Sequence, residues 1–325
     1  MDLVWWLFGF GAFFQKRSCP PLVVGELCES CAAAPVCTSA AIAGHLACLR
    51  YLDEHGCPWD ASTPKAAAFG GNLTCLAYAH DRGCPWDAET PEQAASSGSL
   101  ECLAYAHERG CPWDALTPGA AARHGRLACL KYAHDNGCPW DARTPALAAL
   151  AGRLECLRYA HEHGCPWDAD TAEWAAHDGS LECLAYAHEH GCPWDRRTTA
   201  TAAKHGRLNC LEYAHEHGCP WDESVTAWAA RRGELACLAF AHENGCPWDA
   251  YTSGLATMFA HMDCMQYAYE RGCPGAHDTS GGRRQAASRI IGRVYSRWKS
   301  IRDADVLLVL AGRVRSDKKM NETLT

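Results

Sequence analysis

The sequence lacks the features that would indicate catalysis or a membrane span. It has no phosphate-binding glycine loop, no Gly-x-Ser-x-Gly and no His-Glu-x-x-His, the short motifs of nucleotide, acyl-transfer and zinc-protease chemistry. The apolar run at residues 3–14 is twelve residues long, whereas a helix needs about 20 to cross a bilayer. The net charge of −8 opposes nucleic-acid binding by the whole chain. We therefore expect no enzyme activity, no cofactor and no nucleic-acid partner.

What the sequence does contain is one pentapeptide, Gly-Cys-Pro-Trp-Asp, repeated at a fixed interval. It is complete eight times, starting at Gly56 and recurring every 27 residues, and a ninth copy at Gly272 ends after Cys273-Pro274. Self-similarity at a fixed period of this size predicts a solenoid, in which each unit buries its apolar face against its neighbours.

One unit, residues 90–114, predicts two helices and a short connector. Thr90-Pro91 is a helix-start signal, with the Thr hydroxyl as the expected cap, and Gly98 ends a short alanine-rich helix. A second helix ends at Gly110. Its predicted apolar face consists of Leu100, Cys102, Leu103, Tyr105 and Ala106.

These motifs resemble those of ankyrin repeats over roughly residues 40–273. The matching elements are Thr-Pro, Ala-Ala, Gly-x-Leu and an aliphatic second helix, seen here as Thr117-Pro118, Ala121-Ala122, Gly125-Arg126-Leu127 and Gly137-Cys138. The resemblance implies an all-α solenoid of stacked helix-turn-helix repeats, about nine units of 27 residues. It also implies a non-catalytic scaffold that binds a partner protein on its concave face.

The unit departs from the common ankyrin repeat by being shorter, and the missing residues come from the connector. Because Pro112 also withholds a backbone donor, we do not expect the extended hairpin of ordinary ankyrins. The Cys-Pro-Trp-Asp variant most resembles arrays of large DNA viruses that infect amoebae. This implies a cytoplasmic protein, in the host cytoplasm if the source is viral.

Three segments are predicted: residues 1–37, the repeat array at 38–275, and residues 276–325. The first segment contains the apolar run, which is either a cap on the array or a signal or membrane-associating segment. The third has 11 Lys/Arg and 4 Asp/Glu between Gly281 and Thr325, and a basic amphipathic helix. That helix is either a second cap or a docking element for an anionic membrane or a partner.

The 22 cysteines are expected to be mainly reduced and structural. Eighteen of them recur with the repeat, at positions where ankyrins have small apolar residues, and free cysteine packs like one. Cys28 and Cys31 have a metal-ligand spacing and are a weak candidate for a zinc site; no other metal site is expected. The recurring tryptophans are either seam residues between units or a ladder for stacking a sugar or base, and the recurring histidines are read as polar helix-end residues.

Positions that vary between repeats are the best candidates for partner binding, because packing does not dictate them. In ankyrin-like arrays they line the concave side, and here several are basic. We expect a monomer whose basic concave patch binds an acidic protein surface. The candidate residues are Arg143, Arg196, Arg197, Lys204, His205, Arg231 and Arg232.

Two alternatives remain open. Some viral ankyrin proteins recruit a host ubiquitin ligase through an F-box-like segment, although neither end of this chain matches one convincingly. The other is a membrane-associated adaptor that uses residues 3–14 or the basic helix.

Overall fold

The computed structural model describes residues 36–275, which form 18 α-helices and no strand. The helices come in pairs, and within each pair the odd number is the first helix of a repeat. The first helices are α1 (Cys37–Ala43), α3 (Ser62–Phe69), α5 (Glu89–Ser97), α7 (Leu116–Arg123), α9 (Arg143–Leu150), α11 (Ala169–Asp178), α13 (Arg196–Lys204), α15 (Glu223–Arg232) and α17 (Ala250–Met258). The second helices are α2 (Leu46–Glu54), α4 (Leu73–Asp81), α6 (Leu100–Glu108), α8 (Leu127–Asp135), α10 (Leu154–Glu162), α12 (Leu181–Glu189), α14 (Leu208–Glu216), α16 (Leu235–Glu243) and α18 (Met262–Glu270).

The helices pack into two compact units, whose described residues are 36–167 and 168–275. Unit 1 holds α1 to α10 and unit 2 holds α11 to α18. Within each unit, a first helix packs against its own second helix and against the first helix of the next repeat, and second helices also contact their neighbours. Each unit therefore has the predicted architecture, an all-α solenoid of stacked helix pairs, and together they contain the nine predicted pairs.

The core of each repeat is made of small residues on the first helix and larger ones on the second. In the repeat that contains α5 and α6, Ala94, Ala95, Cys102, Leu103 and Ala106 are all fully buried. Alanine has no side chain beyond Cβ, so neighbouring first helices can approach closely. Of the predicted face, Cys102, Leu103 and Ala106 are buried, Tyr105 is half-buried, and Leu100, which begins α6, is exposed.

The helix starts differ from the predicted ones. Helix α5 begins at Glu89, so Thr90 lies inside it, fully buried, and its hydroxyl has no hydrogen-bond partner within the described residues. The cap is Asp87, the last residue of the preceding pentapeptide, whose Oδ1 accepts from the N–H of Glu89 at 3.1 Å. Cap assignment to Thr90 was therefore wrong, because packing buries the threonine and leaves the aspartate at the free N–H groups.

The helix ends are where glycine was expected. Gly98 follows α5 with φ +87°, a left-handed conformation that closes the helix. A Cβ at this position would lie 2.7 Å from Cδ of Arg126, whose Nε donates to the main-chain oxygen of Ser96 at 3.3 Å. The absence of a side chain at Gly98 thus lets an arginine of the next repeat bond to the end of α5.

The cysteines that recur with the repeat are buried and free, with one exception. The exception is Cys57, which forms a disulfide, so the expectation of reduced thiols is wrong there.

Several predictions concern residues outside the described range, namely the apolar run at 3–14, the zinc candidates Cys28 and Cys31, and the basic helix after Gly281. Of the helices that the structure describes, none combines the length and apolarity needed to cross a bilayer. The segment boundaries at 37/38 and 275/276 stay a prediction.

Candidate protein-binding surface

The recurring tryptophans are packed at the seams between repeats. Trp113 stacks on His107 of its own repeat, with ring centroids 4.1 Å apart, and meets Tyr132 of the next repeat edge-on at 6.4 Å. His107 Nδ1 and the Tyr132 hydroxyl also share a hydrogen bond of 3.2 Å. With a histidine on one indole face and a tyrosine beside it, the seam interpretation is confirmed, and the arrangement does not favour a ladder for stacking sugars or bases.

The recurring histidines were predicted to be polar helix-end residues, and they also take part in packing. They do lie in the last turn of the second helices, but each stacks on a tryptophan. The pairs are His80–Trp86, His107–Trp113, His134–Trp140, His161–Trp167, His188–Trp194, His215–Trp221 and His242–Trp248, with ring centroids between 3.8 and 4.1 Å apart. These side chains therefore belong to the packing of the array.

The buried thiols have low reactivity at neutral pH. Burial raises the pKa of Cys138 to about 12, and its Sγ donates to the main-chain oxygen of Asp114 at 3.3 Å. Because the thiolate is the reactive form, a thiol with this pKa is neither a nucleophile nor a metal ligand at neutral pH. Among residues 36–275, no three His, Cys, Asp or Glu side chains are placed to hold a metal ion.

The exposed side of the first helices contains the seven residues predicted to bind a partner. Three of them lie at helix N-terminal ends and are paired with acids. Arg143 meets Asp141 at 2.7 Å, and Arg196 meets Asp222 at 3.4 Å. Arg197 lies within 3.1 Å of three carboxylates, those of Asp170, Glu173 and Asp195. These pairs largely cancel the charges of the three arginines.

The other four predicted residues lie at the C-terminal ends of first helices in unit 2. The cations among them are not paired with acidic side chains of the described residues. Lys204, Arg231 and Arg232 form no ion pair with any described carboxylate. Lys204 Nζ lies 4.9 Å from the ring centre of Trp228, and Arg231 Cζ lies 4.8 Å from it. Arg231 also lies 5.2 Å from the ring of Phe259, which is 43 % exposed. We call Lys204, Trp228, Arg231, Arg232 and Phe259 the basic–aromatic surface.

The remaining predicted residue, His205, contributes no positive charge at neutral pH. Burial, together with the nearby His177, Lys204, Arg232 and Arg207, lowers its pKa to about 4. Its ring lies 4.0 Å from that of His177, and its buried Nε2 has no hydrogen-bond partner among the described residues. His205 is thus a neutral polar ring beside the basic–aromatic surface.

The aromatic half of this surface was not identified from the sequence. Trp228 and Phe259 fall at positions that vary between repeats, and the equivalents of Trp228 are Trp174, Thr201 and Leu255. A search of the variable positions for exposed aromatic residues, and not only for charge, would have found them.

Comparisons with known proteins identify no family for this chain. Neither any protein-family model nor any curated protein matches its sequence. A solved structure that matches is the crystal structure of the human ASB11 ankyrin repeat domain, at 18 % identity and a TM-score of 0.42. The match covers 48 % of this chain and 84 % of that one. A likeness this remote assigns no function.

Proposed function

We propose that this chain is a non-catalytic scaffold that binds a partner protein on the exposed side of its first helices, and that the partner surface is acidic. The observation that carries the proposal is the contrast between two sets of positions. Packing positions such as Cys, Leu and the seam Trp repeat from unit to unit. The accessible first-helix positions vary between repeats, as Ser96, Arg123 and Leu150 do in unit 1. Variation at accessible positions, on a framework that packing keeps constant, is what a recognition surface needs.

Within that side, the proposed contact region is the C-terminal end of the first helices in unit 2. It combines three cations without described carboxylate partners, the half-buried ring of Trp228 and the exposed ring of Phe259, and aromatic residues and arginine are enriched at protein interfaces. The acid-paired residues Arg143, Arg196 and Arg197 contribute less to the proposed site, since a partner would first have to displace their carboxylates.

The ubiquitin-ligase and membrane-adaptor alternatives depend on segments outside residues 36–275, and no observation within that range favours them. Binding of a protein on the first-helix side is therefore the function to test first.

The test is site-specific photocrosslinking with benzoylphenylalanine in the cell of origin. One probe replaces Met258, which lies on α17 and is 73 % exposed, and the other replaces the exposed Glu216 on the second helix α14. We expect a discrete crosslinked protein from position 258 and none from 216. We also expect the double variant Arg231→Glu, Arg232→Glu to abolish it.

The same product from both probes, or none from 258, would contradict the proposal. Circular dichroism of the double variant serves as the folding control, because both side chains are exposed and unfolding is not expected.

A further inference from the structure

Cations and aromatic rings alternate along the basic–aromatic surface. In spatial order the side chains are Lys204, Trp228, Arg231 and Phe259, and each neighbouring pair lies 4.8 to 5.2 Å apart between charge and ring centre. Three consecutive first helices, α13, α15 and α17, supply them. Each such contact is weak at an exposed site. The rings therefore hold the cations in place without preventing them from binding a carboxylate.

A hydrogen bond from the next repeat to the main chain also restrains this surface. His261 Nε2 donates to the main-chain oxygen of Arg231 at 2.9 Å, which ties the end of α15 to the following repeat. A cation whose position is already restricted loses less entropy when it binds, so less of the interaction energy is spent on ordering.

The spacing of the cations limits what they can recognise. Lys204 and Arg231 occupy equivalent positions in adjacent first helices, and packed helices lie about 8–10 Å apart. A ligand that engages both must present two negative groups about 10 Å apart on one side. In a polyproline II segment, residues i and i+3 point the same way and are about 9 Å apart. In an α-helix, residues i and i+7 are about 10.5 Å apart.

The rest of unit 2 argues against a polyanion with closely spaced charges. Residues 168–275 contain 16 Asp/Glu and seven Lys/Arg, so a long phosphate backbone would be repelled outside the patch. Two cations already lie against the indole of Trp228, which leaves little room for a stacked base. A short segment with few, well-placed charges fits better.

Next to the cations lies an apolar area. Phe259 is 43 % exposed and its chain neighbour Met258 is 73 % exposed, at the end of α17. An apolar side chain that follows the carboxylates would cover both, and the burial of apolar surface would stabilise the complex.

Building on the proposed function, we propose that the basic–aromatic surface recognises an acidic polypeptide segment of a defined pattern. Two carboxylates about 10 Å apart engage Lys204 and Arg231, and an apolar side chain beyond the second carboxylate packs on Phe259 and Met258. The occupant is a protein segment, and neither a nucleic acid nor a lipid surface.

The test is selection of random 12-residue peptides, displayed on phage, against the immobilised full-length chain at about 0.15 M salt. We expect the enriched peptides to contain paired Asp or Glu at i and i+3, or i and i+7, with an apolar residue on one flank. Basic sequences, patternless acidic ones, or no enrichment above the bare support would overturn the proposal.

Variants then locate the binding. A labelled peptide from the selection is titrated by fluorescence anisotropy against Arg231→Glu and against the control Arg271→Glu. Both arginines are exposed and lie over an aromatic ring, since Arg271 Cζ is 5.5 Å from the ring of Tyr267, but Arg271 follows a second helix. We expect Arg231→Glu to weaken binding at least tenfold and Arg271→Glu to change it less than twofold. Equal effects would place the peptide elsewhere.

Two further probes test the excluded occupants and separate this inference from the proposed function. Binding of a 20-nucleotide oligouridine, or of vesicles with 30 % phosphatidylserine, that is lost in Arg231→Glu would overturn the assignment to a polypeptide. If position 258 crosslinks a protein whose contact segment lacks the acidic pattern, only the present inference fails. If no protein crosslinks there, the proposed function fails as well.

Discussion

At the scale of single residues, the recurring tryptophans connect one repeat to the next through ring contacts. In unit 2, Trp194 stacks on His188 at 4.0 Å and lies 6.4 Å from Tyr213 of the following repeat. Trp174, in the same unit, is 37 % exposed on α11, and its ring lies 5.5 Å from that of His177. Identical side chains therefore perform different tasks, one in packing and one on the exposed side of the first helices.

We expect Trp194→Ala to lower the free energy of unfolding by about 2–3 kcal/mol, because it removes apolar burial and two ring contacts at a seam. Trp174→Ala, the matched control, should cost less than about 1 kcal/mol. Urea unfolding followed by far-UV circular dichroism measures both. Equal losses would show that the seam stacking contributes no stability of its own.

At the scale of the helix, the aspartate of the pentapeptide begins each following first helix. Asp114 Oδ1 accepts from the N–H of Leu116, the first residue of α7, at 2.9 Å. The same bond recurs in unit 2, where Asp195 accepts from Arg197 at 2.8 Å. The pentapeptide thus supplies a buried cysteine, a seam tryptophan and a helix cap within four residues, which explains why it is repeated so completely.

Asp114→Ala should lower the free energy of unfolding by about 1 kcal/mol, the usual cost of losing a side-chain cap. Asp114→Asn should restore most of the loss, since its amide oxygen accepts the same hydrogen bond. The urea midpoint of the two variants and the parent checks this. If Asn were as damaging as Ala, the carboxylate charge, and not the bond, would be what matters.

At the scale of the whole molecule, the buried cysteines make the free energy of unfolding depend on pH in the alkaline range. Burial raises the pKa of Cys129 to about 11 and that of Cys138 to about 12, and it also raises the pKa of Cys156 and Cys165. An unfolded thiol has a pKa of about 8.5, so above that pH the unfolded chain holds fewer protons than the folded one. The free energy of unfolding then falls as pH rises, and it falls for every such thiol.

We expect the urea midpoint, measured in reductant, to be nearly constant between pH 7 and 8 and to drop steeply between pH 9 and 11. Cys138→Ala removes one of these groups and should make the drop slightly shallower. A midpoint independent of pH up to 11 would contradict the burial of the thiols.

Much of the fold followed from the sequence, because a 27-residue period gives every repeat the same environment. The paired helices, the glycine ends at Gly98 and Gly110, and buried positions such as Cys102 and Leu103 are all encoded within one unit. Local spacing alone therefore predicts them.

The choice of cap and the state of the charges were decided by the tertiary structure. Thr90 and Asp87 each carry a side-chain oxygen that can cap a helix. Because packing buries Thr90 inside the helix, Asp87 is the residue that accepts the hydrogen bond. Arg197 and Arg231 are both exposed arginines in the sequence, but Arg197 meets Asp170, a carboxylate 27 residues earlier, whereas Arg231 meets two aromatic rings.

The sequence by itself determined the repeat, its two helices and their buried faces, since these depend on residues a few positions apart. Tertiary structure decided which cations are neutralised, which rings stack and which side chains stay accessible. These depend on contacts between residues about 24 to 30 positions apart, such as Tyr132 with His107, whose proximity arises only when neighbouring repeats pack.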